Sequence, residues 1–194
     1  MQLINKPDYS YIIPKNVFPD IKIFFLSKQL GIPPEDKKEY PEPPSFTVLN
    51  RISSHFPITP KNIIFMNQVH SDMVVKKLDK KPSFPKADGM ITQIKGLALA
   101  IKSADCLPIF LFDNKNKVIS AIHAGWRGTA LKIVKKALKK LEQEFNSNIA
   151  DIYAYIGPAI NGNCYEVGKD VYEHFKFLGK RKSEFFTKTK NNKF

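Results

Sequence analysis

Three positions in this chain of 194 residues are built alike: an apolar run ends on a side chain able to bind a metal. IIFMNQVH ends on His70, LALAIKSADC ends on Cys106, and VISAIH ends on His123. Where a strand gives way to a loop, the sheet fixes the backbone while side chains stay free to converge. Two imidazoles and a thiolate are a natural zinc set. Three protein ligands also leave one tetrahedral position open, which marks a catalytic site and not a structural one. The spacing is long-range and matches no local zinc-ligand pattern, so the residues alone leave two other readings open. In one, each is an unrelated buried residue held by its own hydrogen bonds. In the other, Cys106 is the nucleophile of a metal-free hydrolase or deamidase, with His123 or His70 as its base and backbone amides as the oxyanion hole.

Short apolar runs separated by turn signals must position these side chains. NIIFM, DMVV, GMIT, LALAIK, PIFLF, VISAIH and IYAYIG read as strands, divided by Asp88 and Gly89, by Gly96 and by residues 114–116. After VISAIH, Gly125 and Gly128 read as a tight turn from strand to helix. The helix is expected to follow Gly128, with Thr129 as its N-cap. Leu131, Val134, Leu138, Leu141 and Phe145 fall on one face with Ile133 and Ala137 beside them, and a row of lysines faces the other way. Its first amides would point back at the site, a position suited to phosphate or another anion. A second helix is expected from Lys169 towards Phe177, with Val171, Phe175 and Leu178 inward. The first forty-odd residues read as irregular, IKIFFL (21–26) being the one convincing strand and residues 31–45 an exposed Pro-rich loop. Many short strands with few helices indicate the α/β (α+β) class, with mixed β-sheets and flanking helices.

Apolar content of 43 % and charged content of 25 % are those of a soluble globular protein, and the length suits one domain, residues 1–194. The sequence has no apolar run long enough for a membrane span and no secretory leader at its N-terminus, so the expected place is the cytoplasm. Two cysteines, Cys106 and Cys164, make no disulfide framework, which fits a reducing compartment. The net charge of +13 comes mostly from scattered lysines, with only Arg51, Arg127 and Arg181 as arginines. Aromatics are not interleaved with arginines as a single-strand stacking platform requires. The charge reads as a solvated basic surface that steers anions inward, not as a nucleic-acid interface.

Five segments, NQVHSD, ADGMIT, SADCLPIFLFD, AIHAGWRGT and IGPAINGNCYEVG, together resemble the YfiH family over about Arg51 to Gly168. That family has been labelled polyphenol oxidase or laccase-domain protein, and later purine nucleoside phosphorylase with adenosine deaminase activity. The resemblance implies a layered sandwich of the kind shared with a toxin deamidase. It also implies a Zn2+ site made by His70, Cys106 and His123. The implied activity is phosphorolysis of adenosine, inosine or 5′-methylthioadenosine, and deamination of adenosine by a zinc-activated water, with nucleoside and phosphate as small-molecule partners. A zinc amidase that edits a cell-wall precursor is the alternative within the family. The laccase label is discounted, because a multicopper oxidase needs many histidines, usually in His-x-His pairs, and this chain has four histidines and no such pair.

Neighbouring residues take roles from the same resemblance. Arg51, beside Asn50 in VLNRIS, is implied to contact phosphate. Gln68 orients a substrate or the His70 loop, and Arg127 either reinforces an anion position or makes a structural salt bridge. Asp105 serves as general acid/base or holds a ligand histidine from behind. Trp126 either walls the pocket or is core, Cys164 is expected in the core, and His55 and His174 on the surface. Two departures stand out. The family's Ser-Thr-Arg-Gly-Gly-like stretch has its nearest match in FLSKQLGIPPED, with Lys28 and no glycine pair. The family also continues past the position of Phe194 with another helix and a closing segment bearing a cysteine and an arginine.

Overall fold

The computed structural model describes residues 1–6, 10–27, 44–189 and 193–194. An N-terminal sheet is built from β1 (Gln2–Asn5), β2 (Ser10–Ile13) and β3 (Phe25–Leu26), all antiparallel. Helix α1 (Phe46–His55) begins where the Ser45 hydroxyl accepts from the Val48 amide, and it buries Val48 and Ile52, four residues apart. β4 (Ile63–Phe65) and β7 (Ala98–Ala100) form a two-stranded parallel sheet against α1.

The largest sheet is mixed, from β5 (Val74–Lys76), β6 (Gly89–Thr92), β8 (Leu107–Asp113), β9 (Val118–Ala124) and β10 (Ile152–Ile156) in the order β10-β8-β9-β6-β5. β9 is central and nearly all buried, which is why VISAIHA reads as a continuous apolar run and not as an alternating one. The turn from β8 to β9 is fixed by buried Asp113, whose carboxylate accepts from the amides of Lys115 and Asn116 at 2.9 Å each.

Two helices follow β9: α2 (Trp126–Ala130) and α3 (Ile133–Phe145). α3 lies on the sheet with Ile133, Ala137 and Leu141 fully buried against Ile91, Ile109, Leu111, Val118 and Ile122. Full burial of each large aliphatic there is worth about 1.5–3 kcal/mol. α4 (Lys169–His174) buries Val171 and leads through Phe175 into a 3-10 segment, in which Leu178 is half-buried, as the sequence indicates. Among the described residues no helix is long and apolar enough to cross a membrane.

Mixed sheets with flanking helices agree with the class read from sequence, and several details differ. The helix expected after Gly128 is two helices, because Lys132 takes the left-handed conformation (φ 62°) and interrupts it. That break re-phases the helix: Thr129 lies inside α2, Leu131 is 52 % exposed, and the innermost face is Ile133, Ala137 and Leu141. Helix α1 and the β1–β2 hairpin stand where the sequence reading has no element, and IKIFFL narrows to Phe25–Leu26. Of the expected Pro-rich loop, residues 31–43 lie outside the described residues, as does Lys28.

Candidate metal centre

Register in the central sheet brings the chemistry together. β9 is flanked by β8 on one side and β6 on the other. Leu107 pairs with Ala124, so Cys106, one residue earlier, lies beside Gly125. Gly89 pairs with Ile122, so Asp88, one residue earlier, lies beside His123, and the His123 amide donates to the Asp88 carbonyl at 2.8 Å. Three adjacent strand ends thus present Cys106, His123 and Asp88 on one edge. His70 arrives from the loop after β4, in a left-handed conformation (φ 57°) that a non-glycine residue adopts only when held.

The potential ligand atoms of His70, Cys106 and His123 lie within 4.8 Å of one another, and the two rings meet edge to face at 4.9 Å between centroids. Bond lengths of about 2.0–2.3 Å at a tetrahedral zinc would place ligand atoms about 3.3–3.6 Å apart, a spread that these three side chains approach. Gly125 makes room for it. A Cβ there would stand 3.1 Å from His70 Cδ2, 3.2 Å from Cys106 Sγ and 3.8 Å from His123 Cε1, so the missing side chain lets the backbone touch all three residues. The three could hold a metal ion, with His123 buried, Cys106 half-buried and His70 exposed to the open side.

That open side is a cleft of about 1430 Å³ lined by all three, together with Gln68, Asp105 and residues of the N-terminal sheet such as Phe25. It exceeds the roughly 300–1,000 Å³ usual for small-molecule sites. Gln68 orients the loops: its amide nitrogen donates to the Lys102 carbonyl at 2.8 Å and its amide oxygen accepts from the Lys102 amide at 2.7 Å. Both ends of the side chain are spent clasping the segment that leads to Cys106 to the one that leads to His70. Asp105 is exposed on the cleft wall, and the carboxylate behind a ligand histidine belongs instead to Asp88, 2.9 Å from His123 Nδ1. Arg127 is exposed on α2, its guanidinium 4.3 Å from the Trp126 ring centroid, and it has no ion pair among the described residues. Arg51 is exposed on α1 and is not part of the cleft lining. With five residues, α2 aligns too few peptide dipoles to make the strong anion site expected at its first amides. Gly128 is not a turn residue but the point where α2 touches the His70 loop. Trp126 packs with Val167, Val171 and Phe175, Cys164 is exposed in a 3-10 turn and not in the core, and His55 and His174 are on the surface.

Asp88 is the residue the sequence reading passed over as a turn. Its one signal is a carboxylate placed directly before GMIT, a run buried at every position. Electrostatics follow from it. Burial works against charge on His123, but hydrogen bonds with Asp88 and Cys106 outweigh burial and push the pKa up to about 9. Burial and then the neighbouring His123 hold His70 below its ordinary value, against the pull of Asp88. Burial also opposes ionisation of Asp88, yet its bonds to His123 and Ser71 keep it below 3.8.

The sign for stability is therefore clear. In the metal-free protein, the His123 contribution is full below about pH 6.5 and is lost as pH rises through about 9. The Asp88 contribution is the reverse, present at neutral pH and lost in acid as the carboxyl protonates. A bound metal would take the place of the second proton of the His123 imidazolium, leaving the one that faces Asp88, and so remove the alkaline loss. Melting curves at pH 6.5 and 9 are expected to show Tm falling only without zinc; equal falls with and without zinc would separate His123 from the metal.

A family model described as multi-copper polyphenol oxidoreductase laccase matches residues 47–194. The chain belongs to that family. Purine nucleoside phosphorylases of Clostridium acetobutylicum (36 % identical over 119 residues, 61 % of this chain and 50 % of the relative) and Bacteroides thetaiotaomicron (46 % over 92 residues, 47 % and 34 %) are similar to it. Among solved structures, YfiH of Bacillus licheniformis matches with a TM-score of 0.71 at 28 % identity, over 76 % of this chain and 59 % of that one. YlmD of Geobacillus stearothermophilus matches with a TM-score of 0.63 at 27 % identity, over 68 % and 52 %. The chain spans about half or less of the length of these curated relatives. The laccase family's description speaks of several coppers, whereas this chain offers one cluster of two histidines and a cysteine among its described residues.

Proposed function

We propose that this protein is a zinc-dependent purine nucleoside enzyme of the cytoplasm. It would cleave adenosine, inosine or 5′-methylthioadenosine with phosphate and deaminate adenosine. The observation that carries the reading is the convergence of His70, Cys106 and His123 at a cleft large enough for a nucleoside, in a chain whose relatives carry the name purine nucleoside phosphorylase. When bound, zinc supplies Lewis acidity at the position that three protein ligands leave open. The chain's own residues do the rest. Asp88 holds a proton on His123 Nδ1, so the other ring nitrogen is free to bind metal. Arg127, near enough to depress the His70 pKa and free of a carboxylate partner among the described residues, supplies positive charge for phosphate. Asp105 on the cleft wall takes or returns the proton that the departing purine requires. The net charge of +13 draws the anion in.

A second reading has one observation in its favour. The approach of Cys106 Sγ and a His123 ring nitrogen to within 4.8 Å also suits a thiolate and imidazolium pair acting without metal. Adenosine supplied with and without phosphate separates the possibilities. Phosphate-dependent release of free base, abolished by a chelator and restored by zinc, is the expected result. Turnover that survives chelation but not thiol alkylation would replace zinc with the Cys106 nucleophile. Zinc uptake with no change to any nucleoside would discard the substrate and favour a cell-wall amide.

A further inference from the structure

We propose that Asp88 is the positioning residue that couples the two imidazole ligands, one carboxylate fixing both the ring of His123 and the backbone that presents His70. The inference rests on the metal-centre reading above and assigns its architecture to one side chain. Asp88 is 0 % exposed, and its two oxygens divide the work. Oδ1 stands 2.9 Å from His123 Nδ1 and accepts from the His70 amide at 3.0 Å. Oδ2 accepts from the Val69 amide at 3.2 Å, and from the Ser71 amide and hydroxyl at 2.7 Å each.

Four of these five partners are donors by their chemistry, and an acceptor-only group facing His123 makes its Nδ1 the fifth. The proton is thereby assigned to Nδ1, leaving Nε2, the nitrogen on the Cys106 side, with its lone pair for a metal. The three consecutive amides explain how His70 is kept at a φ of 57°: the carboxylate gathers the turn around itself and offsets the cost of the left-handed backbone.

An amide at this position cannot reproduce the arrangement. With its oxygen towards Val69 and Ser71, Asn would point its NH2 at His123 and push the ring proton onto Nε2. Reversed, it would point the NH2 at three donors and release the His70 turn. Either orientation loses one ligand, so Asp88→Asn is expected to lower zinc affinity about 10- to 100-fold.

Two measurements test this. Nitrogen NMR of the wild-type imidazoles is recorded with zinc bound and in metal-free protein at a pH high enough that the spectrum itself shows both rings neutral. The expected result in both is Nδ1–H, with zinc on Nε2. Competition with a chromophoric chelator then compares the wild type with Asp88→Asn. A purely structural carboxylate would leave both the tautomer and the His70 turn unassigned by residue 88, whereas here Asp88→Asn either shifts the ring toward Nε2–H or, reversed, releases the turn and with it the His70 resonance of the zinc-bound state. Wild-type protein that binds zinc through Nδ1, or an Asp88→Asn variant within about threefold of wild-type affinity, overturns the proposal. Wild-type protein that takes up no zinc overturns the metal centre itself, which is a different result. If Asp88→Asn does not fold, the wild-type tautomer still decides.

Discussion

His123→Ala and Cys106→Ala are both expected to lose zinc, and turnover of nucleoside with it by at least about a thousandfold, with the larger loss of metal-free stability in the histidine variant. The shared loss follows from a site with three ligands, where two cannot hold the ion at useful affinity. The difference follows from what stands behind each ligand. Removing His123 empties a buried space (3 % exposed) and takes one of five partners from the fully buried Asp88. Leaving a buried polar group short of a partner costs about 1–3 kcal/mol. Cys106 is half-buried at the cleft edge, and truncating its side chain takes one neighbour from His123 while Asp88 still holds the ring, so the loss is smaller. Zinc content, turnover and metal-free melting of the two variants check this together. Full zinc in either variant would remove that residue from the ligand set.

Gly128→Ala is expected to destabilise the protein by about 1–3 kcal/mol and to weaken zinc binding, although Gly128 touches no ligand. Two effects of opposite sign compete. Alanine within a helix gains about 1 kcal/mol over glycine by propensity. Against that, a Cβ at residue 128 would stand 2.8 Å from the Ser71 carbonyl oxygen and 3.4 Å from Ile133 Cγ2. The first of these is backbone and cannot rotate away. The loop that carries Ser71 is pinned by Asp88, and α2 is pinned at its start by Gly125, packed among the three candidate ligands. One of them must shift, and whichever does carries His70 or Gly125 with it, so the contact outweighs propensity. Metal-free melting and zinc affinity of the variant check the sign. A raised Tm with unchanged zinc affinity would mean that the loop yields freely.

Much of this cluster is legible in the sequence because its three candidate ligands end apolar runs. β9 is a nearly uninterrupted buried strand, and a histidine at its end invites a chemical explanation. Asp88 was not legible as more than a turn, since its role depends on which residue β9 places beside it, and register is a property of paired strands. Sequence leaves Gln68 free to orient either a substrate or the loop, and only the position of Lys102, thirty-four residues away, gives both amide ends to the loop. The break at Lys132 was hidden for another reason: a left-handed lysine carries no compositional signal, and apolar residues continue on both sides of it. Helix α1 has its signal in Ser45 followed by Val48 and Ile52, which the polar Asn50 and Arg51 between them obscure. Cys164 is exposed for a reason the motif does not carry, since membership in a motif says nothing about burial.

X-ray absorption at the zinc edge tests the central claim most directly, because it reads ligand atoms without reference to any substrate. The expected first shell of the wild-type protein holds one sulfur at about 2.3 Å and imidazole nitrogens at about 2.0–2.1 Å. Sulfur is expected to vanish in Cys106→Ala, in whatever zinc that variant can be made to bind. A wild-type zinc shell of nitrogen and oxygen alone would contradict the site formed by His70, Cys106 and His123.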